Sequence, residues 1–240
     1  MKFGETIDGV LLVDKAPGMT SHDVVAITRR VLDTRKVGHC GTLDPLATGL
    51  LIITIGRGTK IQDLLMCEDK EYVGTIRLGQ TTTSQDADGT VLEEKPVPEL
   101  SREQIEAAFD KFQGDLYQIP PMVSAIKKDG VPLYKLARQG KTIEREPRLV
   151  HVYGHEILGV NLPEVDFRVV CSKGFYVRTY AHDIGEILGS GAHLKALRRT
   201  ASGKFRADGV LTVEELRTLP LDGIKSRILS LPEVSRLRGV

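Results

Sequence analysis

The chain has 240 residues, 41% of them hydrophobic and 27% charged, with 33 Lys and Arg against 32 Asp and Glu. That length fits one domain or two with a sizeable core, but no apolar run approaches the roughly 20 residues of a membrane span, and "MKFGETIDG" is too polar for a secretory signal. Three cysteines without CxxC spacing argue against a disulfide framework and fit a reducing cytoplasm, and a net charge of +1 neither requires nor excludes a nucleic-acid partner.

"GVLLVDK" predicts a strand over Val10–Val13, with a turn at Pro17-Gly18. "TSHDVVAITRRVL" predicts a helix. The Ser21 hydroxyl is placed to accept from first-turn amides, Asp23 suits the positive helix end, and Val24, Ile27 and Val31 recur at helical spacing. "LLIITIG" reads as a buried strand, and "EYVGTIRLG" as an alternating one with Tyr72, Gly74, Ile76 and Leu78 on one face. "SREQIEAAFDKFQG" predicts a helix capped by Ser101 and Gln104 and stopped by Gly114. "YKLARQG" predicts a short helix. "LVHVYGHEILGV" and "VDFRVVCS" predict a strand pair joined through "NLPE", with Val165, Phe167, Val169 and Cys171 inward. "AHDIGEILGSG" and "HLKALRR" predict two further short helices, and Thr212 opens another capping box. Hairpin-like strands among interspersed helices predict an α+β fold rather than a βαβ ladder.

Several patterns point away from familiar chemistries. On a strand, His151 and His155 fall far apart on one face, which argues against a metal pair. "SQDADG" lacks the acidic residue that closes a calcium loop, Lys95 standing in its place, and reads as a polar hairpin turn. Cys40, Cys67 and Cys171 have no reactive setting and read as packing residues. The basic residues cluster: Arg29-Arg30, Arg35-Lys36, Lys127-Lys128, Arg138, Lys141, Arg145, Arg148, Lys173, Arg178, Lys195, Arg198-Arg199, Lys204 and Arg206. Segregated in this way, they suit either a phosphate-facing surface or ordinary solvated surface.

"HCGTLDPLATG", residues 39–49, sets one carboxylate, Asp44, among two glycines, a cysteine and a histidine, with Gly38 just before it. Most carboxylate acid–base chemistry uses a pair, and no second acid lies in this stretch. Pro45 biases Asp44 toward extended backbone. Gly38, Gly41 and Gly49 permit tight turns and close approach. From the residues alone, a plain Asp-Pro turn and a working carboxylate are equally open.

The wording of four blocks, in order, resembles the bacterial tRNA pseudouridine-55 synthases, the TruB family. They are "GHCGTLDPLATGLL", "KEYVGTIRLGQTTTSQDADG", "QIPPMVSAIKKDGVPLYKLARQG" and "CSKGFYVRTYAHDIGEILGSGAHLKALRRT". The resemblance implies a pseudouridine synthase fold, with a mixed, mostly antiparallel sheet flanked by helices and the catalytic cleft on the sheet. It implies a catalytic domain over residues 1–220; residues 221–240 read as a short tail without the complete C-terminal PUA domain that many members carry, a departure from the family. The implied reaction converts uridine 55 in the T stem-loop of tRNA to pseudouridine, after the base is flipped out, without metal or cofactor and without a protein partner, by a monomer.

On this resemblance Asp44 is the catalytic aspartate, Tyr72 the active-site tyrosine that stacks on the flipped uracil, and Arg178 the arginine that pairs with the aspartate. His39 fills the space left by displaced bases, and Leu197 lines the uracil pocket. Lys15, Gly41, Thr42 and Tyr176 complete the substrate side. One departure is local: the family's usual Lys-Pro-x-Gly is Lys15-Ala16-Pro17-Gly18 here. Two other readings share these motifs: a guide-RNA-dependent synthase acting with partner proteins, and a catalytically silent tRNA-binding chaperone.

Overall fold

A computed structural model describes residues 7–239 except 125, 129, 134, 135, 137, 138 and 142. The helix expected in "YKLARQG", Arg138 and the side chains of Lys127 and Lys128 fall outside the described residues. The strands are β1 (Gly9–Lys15), β2 (Val37–Cys40), β3 (Thr48–Ile55), β4 (Lys70–Leu78), β5 (Gln80–Thr82), β6 (Val91–Glu94), β7 (Gly114–Gln118), β8 (Lys127–Lys128), β9 (Val131–Pro132), β10 (Arg148–Asn161), β11 (Glu164–Cys171), β12 (Ala192–Ser202), β13 (Phe205–Arg206) and β14 (Leu211–Thr212). The helices are α1 (Ser21–Val31), α2 (Gln62–Met66), α3 (Arg102–Asp110), α4 (Val177–Ile187), α5 (Val213–Thr218), α6 (Leu221–Lys225) and α7 (Leu231–Arg238). The class is α+β, with strands paired mostly antiparallel. Two compact units are present, one formed by residues 1–72 and 198–240, the other by residues 73–197.

In the first unit the strand order is β14-β1-β3-β12. β1 runs antiparallel to β3 from Gly9↔Ile55 to Lys15↔Gly49. The other edge of β3 is shared: β2 pairs antiparallel at Val37↔Ile55 through Cys40↔Ile52, and β12 pairs parallel at Arg198↔Thr48 and Arg199↔Gly49. β3 is buried from Gly49 to Ile55, which is why its sequence is a continuous apolar run rather than an alternating one. Val10, Leu50, Ile52, Leu65 and Phe205 form the core with Val234 of α7. Residues 221–238 are helical over α6 and α7, and Leu229 between them exchanges backbone hydrogen bonds with Val10 (2.9 and 2.8 Å).

Helix α1 starts one residue earlier than its sequence suggests. Thr20 is the cap: its Oγ1 accepts from the Asp23 N–H at 3.1 Å, and the Asp23 carboxylate accepts from the Thr20 N–H at 2.7 Å. Ser21 is fully buried with Val24, Val25 and Thr28, one stripe of the helix, while Ile27 and Val31 are only half-buried. The Ser21 hydroxyl is engaged elsewhere, which is why it does not cap.

In the second unit β4, β11, β10 and β7 follow one another in the sheet. Val165, Phe167, Val169 and Cys171 face inward, as their alternation predicts, and α3 begins on the Ser101–Gln104 capping box. The rings of Phe109 on α3 and Phe167 on β11 lie 5.7 Å apart, and those of Phe109 and Tyr180 on α4 lie 5.5 Å apart, which ties both helices to the sheet. "SQDADG" forms the turn of the antiparallel β5–β6 hairpin.

Two further sequence expectations need correction. "HLKALRR" is strand, within β12, not helix. Its Leu, Lys, Ala and Arg favour helix locally, but the ladder to β3 and the burial of Arg199 prevail over that weak preference. Cys67 is exposed and packs no core, unlike Cys40 and Cys171.

Gly49 has φ +96°, and a Cβ there would lie 2.3 Å from the Arg199 carbonyl oxygen. Gly174 has φ +81° with open space around it. Gly174→Ala is expected to cost about 1 kcal/mol of backbone strain, roughly 2–4 °C in thermal midpoint. Gly49→Ala, which adds a backbone clash, should cost at least twice that. Equal shifts in thermal denaturation would show that the β3–β12 crossing does not require glycine.

Candidate active site

The Asp44 loop joins β2 to β3 within the first unit, and its backbone is fastened at several points. At its start, Gly41 has φ +86°, and its carbonyl accepts from Arg199 Nη2 at 3.1 Å. Arg199 Nε donates to the Leu50 carbonyl at 2.7 Å. Arg199 is 1% exposed, so its charge is held in the interior by carbonyl oxygens. Next, Leu43 is clamped by one hydroxyl: its N–H donates to Ser21 Oγ at 2.8 Å, and Ser21 Oγ donates to its carbonyl at 3.1 Å.

Asp44 through Ala47 then form a turn, closed by the Ala47 N–H on the Asp44 carbonyl at 3.0 Å, with Pro45 second. The Pro45 carbonyl accepts from the Gly18 N–H at 2.9 Å and from Lys15 Nζ at 3.3 Å. Lys15 Nζ also donates to the carbonyls of Met19 at 2.7 Å and Ala16 at 2.9 Å. Those three acceptors match the three donors of an ammonium, and Lys15 is fully buried. The proline displaced to position 17 leaves the turn intact, because Gly18 supplies the N–H and takes φ +76°. So the Asp-Pro turn read from the sequence is present, and it carries a half-buried Asp44 beside an exposed Thr42.

His39 is half-buried at the end of β2, its ring edge-on to His22 at 5.2 Å between centroids. Burial, with electrostatic interaction with His22 and the Arg199 guanidinium next, lowers its pKa to about 4, against an opposing backbone hydrogen bond at Gly41. Tyr72 is buried on the inner face of β4, also in the first unit.

The second unit holds Tyr176, Arg178 and Leu197. Arg178 lies near the start of α4, where its guanidinium is oriented by three partners. Nη1 donates to the Ser84 carbonyl at 3.1 Å, Nη2 donates to the Val123 carbonyl at 2.7 Å, and Nε lies 3.7 Å from the Asp86 carboxylate. Arg178 and Asp86 are both buried, and Asp86 also accepts from Ser84 Oγ and from the Asp88 N–H. Gln118 brackets Tyr176, accepting from its N–H at 2.9 Å and donating to its carbonyl at 3.2 Å. Leu197 is half-buried on β12.

The sequence missed the residues that do the holding. In the sequence Ser21 suits a cap, Arg199 a phosphate-facing or solvated surface and Asp86 a polar turn, and no local pattern gives Gln118 a holding role. The basic clusters are also partly consumed. Arg198 makes a two-pronged pair with Asp14 at 2.9 and 2.7 Å, and Arg29 donates to the Val37 carbonyl at 2.8 Å. Arg30, Arg35, Lys36 and Lys204 stay exposed on the first unit.

The family model described as TruB family pseudouridylate synthase (N terminal domain) matches residues 29–177, and that of the tRNA pseudouridylate synthase B C-terminal domain matches residues 178–226. The chain is 56% identical to the tRNA pseudouridine synthase B of Opitutus terrae, across 93% of this chain and 92% of that protein. It is 47% identical to the Chromohalobacter salexigens protein of the same name, across 94% of this chain and 74% of the relative. Among solved structures it is similar to a chain in a Cbf5-Nop10-Gar1 complex, with TM-score 0.74 and 30% identity, covering 96% of this chain and 62% of that one.

With a folded pKa of about 4 against the usual 6.5, His39 is neutral at pH 6. Between those values the unfolded chain binds more protons, so stability falls as pH drops from about 6.5 to about 4. His39→Gln should flatten that part of the pH dependence of the thermal midpoint. A His39 imidazole titrating near 6.5 by NMR would contradict the burial argument.

Proposed function

The chain belongs to the TruB family of pseudouridylate synthases, and on that basis we propose that it converts uridine 55 in the T loop of tRNA to pseudouridine. In this isomerisation the bond from uracil N1 to ribose C1′ breaks and a bond from C5 to C1′ forms. The proton leaves C5 and one is taken up at N1, so nothing is consumed. One observation carries the reading: a single carboxylate, Asp44, stands on a turn whose backbone is fastened on both sides by buried groups. A lone carboxylate suits nucleophilic or close electrostatic assistance to one departing base, not paired acid–base hydrolysis. Attack at C1′, attack at C6 and elimination to a glycal all make use of it.

In this reading the uridine is extruded from the folded loop before reaction. The neutral ring of His39 supports what remains, by stacking without adding charge. Tyr72 stacks on the uracil and brings a hydroxyl for proton movement, and Leu197 and Tyr176 line the base. Gly41 and Thr42 border the substrate, while Lys15 acts beneath the loop through Pro45. Arg178 brings a planar fork already oriented by Ser84, Val123 and Asp86. The exposed Arg30, Arg35, Lys36 and Lys204 meet phosphates, which makes binding steeply salt-dependent. The chain acts alone, in contrast to the Cbf5 chain solved with Nop10 and Gar1.

The test is purified protein on an unmodified tRNA transcript, with pseudouridine mapped by position. The expected product is one pseudouridine, at position 55, formed without added protein. Asp44→Asn should fall to background while binding tRNA nearly as before, because phosphate contacts set affinity. Arg178→Lys should lose at least about tenfold in kcat, since an ammonium does not reproduce a fork. Normal turnover by the Asn variant removes Asp44 from the chemistry.

A further inference from the structure

We propose that Ser21 is a positioning residue for the reaction: its hydroxyl sets the backbone that leads into Asp44. The proposal rests on the reading of Asp44 as the reacting carboxylate. Ser21 is fully buried at the first position of α1, one residue past the cap position that serine favours. Here the capping duty belongs to Thr20 and Asp23, which satisfy each other at 3.1 and 2.7 Å. The Ser21 hydroxyl is therefore surplus to the helix, and both of its functions go to one residue of another segment. It accepts from the Leu43 N–H at 2.8 Å and donates to the Leu43 carbonyl at 3.1 Å.

Two bonds to one residue constrain more than two bonds to different residues. The Leu43 N–H belongs to the peptide plane entering Leu43, and its carbonyl to the plane that ends on the Asp44 nitrogen. Holding both planes restrains φ and ψ of Leu43, the two torsions that set the direction in which the chain enters Asp44. Beyond Asp44, the Ala47 N–H and the hold on the Pro45 carbonyl fix the exit. Ser21 thus supplies the entry side of a bracket whose centre is Asp44. Because α1 carries it, the position of the helix sets the position of the carboxylate. A misplacement of about 1 Å at a reacting group costs on the order of a hundredfold.

The test compares Ser21→Ala with Thr28→Ala. Thr28 is buried on the same helix, and its hydroxyl donates to the Val24 carbonyl at 2.8 Å within α1. Both changes lose one buried hydroxyl and should lower the thermal midpoint. Assayed well below both midpoints on a tRNA transcript, Ser21→Ala should lose about thirtyfold or more in kcat with KM within about threefold of wild type. Thr28→Ala should keep wild-type kcat. Ser21→Thr, which restores a hydroxyl, should recover at least about tenfold of the loss. Hydrogen exchange reads the clamp independently of turnover: the Leu43 amide should lose protection in Ser21→Ala while the α1 amides keep theirs.

Wild-type kcat in Ser21→Ala, equal kcat losses in the two alanine variants, or an unchanged Leu43 amide would overturn the proposal. Asp44→Asn in the same assay keeps the two readings apart. An active Asn variant overturns the role of Asp44. An inactive Asn variant beside a fully active Ser21→Ala overturns only the role of Ser21.

Discussion

The Arg199 guanidinium, 1% exposed, reaches the carbonyls of Leu50 and Gly41 at 2.7 and 3.1 Å, and the loop between β2 and β3 is built around it. Where the chain leaves β2, the Gly41 carbonyl turns away from the strand ladder and needs a donor. A buried guanidinium needs acceptors, because an unpaired charge inside a protein costs several kcal/mol. Each solves the other's problem, and the arrangement leaves little or no room for side chains at the neighbouring backbone. A Cβ on Gly41 would lie 3.2 Å from Arg199 Nη1, and one on Gly49 would lie 2.3 Å from the Arg199 carbonyl oxygen. Gly49 of "HCGTLDPLATG" is thus a consequence of the close approach of the Arg199 backbone, 150 residues later in the chain, while Gly41 answers to its φ of +86°.

Lys15 repeats the logic on the far side of the turn, its ammonium buried among the carbonyls of Ala16, Met19 and Pro45. The motif therefore divides into a frame and a working edge. Lys15, Ser21, Gly49 and Arg199 belong to the frame, where charge and polarity are spent on backbone. Thr42, Asp44 and His39 are more accessible, and to them we assign the substrate. The same economy holds in the second unit, where the Arg178 guanidinium donates to the Ser84 and Val123 carbonyls and lies against the buried Asp86 carboxylate.

This division explains what was legible in the sequence. Elements with a strict local period could be read directly: the alternation of β4 and β11, and the capping boxes at Ser101 and Thr212, depend on residues a few positions apart. β12 could not, because its helix-favouring residues are overruled by pairing with β3, a contact invisible to any local window. The cap of α1 slipped by one because two adjacent hydroxyls, Thr20 and Ser21, suit the same job, and only the position of Leu43 decides between them. The wording of the Asp44 motif was plain, but the residues that hold it were not. Ser21, Arg199 and Asp86 are polar residues of ordinary surface types, and nothing in their neighbours marks them as buried.

In the role we propose for Asp44, a fastened backbone places one carboxylate, so that position matters as much as charge. Asp44→Glu tests it most directly, keeping the charge and the proton affinity class while moving the carboxylate outward by one methylene. The measurement is the single-turnover rate of pseudouridine formation on a tRNA transcript, with the variant's folding verified by its thermal midpoint. The expected loss is about a hundredfold or more, the scale of an ångström-sized misplacement. A Glu variant within about tenfold of wild type would show that the loop tolerates movement of its carboxylate and that the frame does not serve the chemistry.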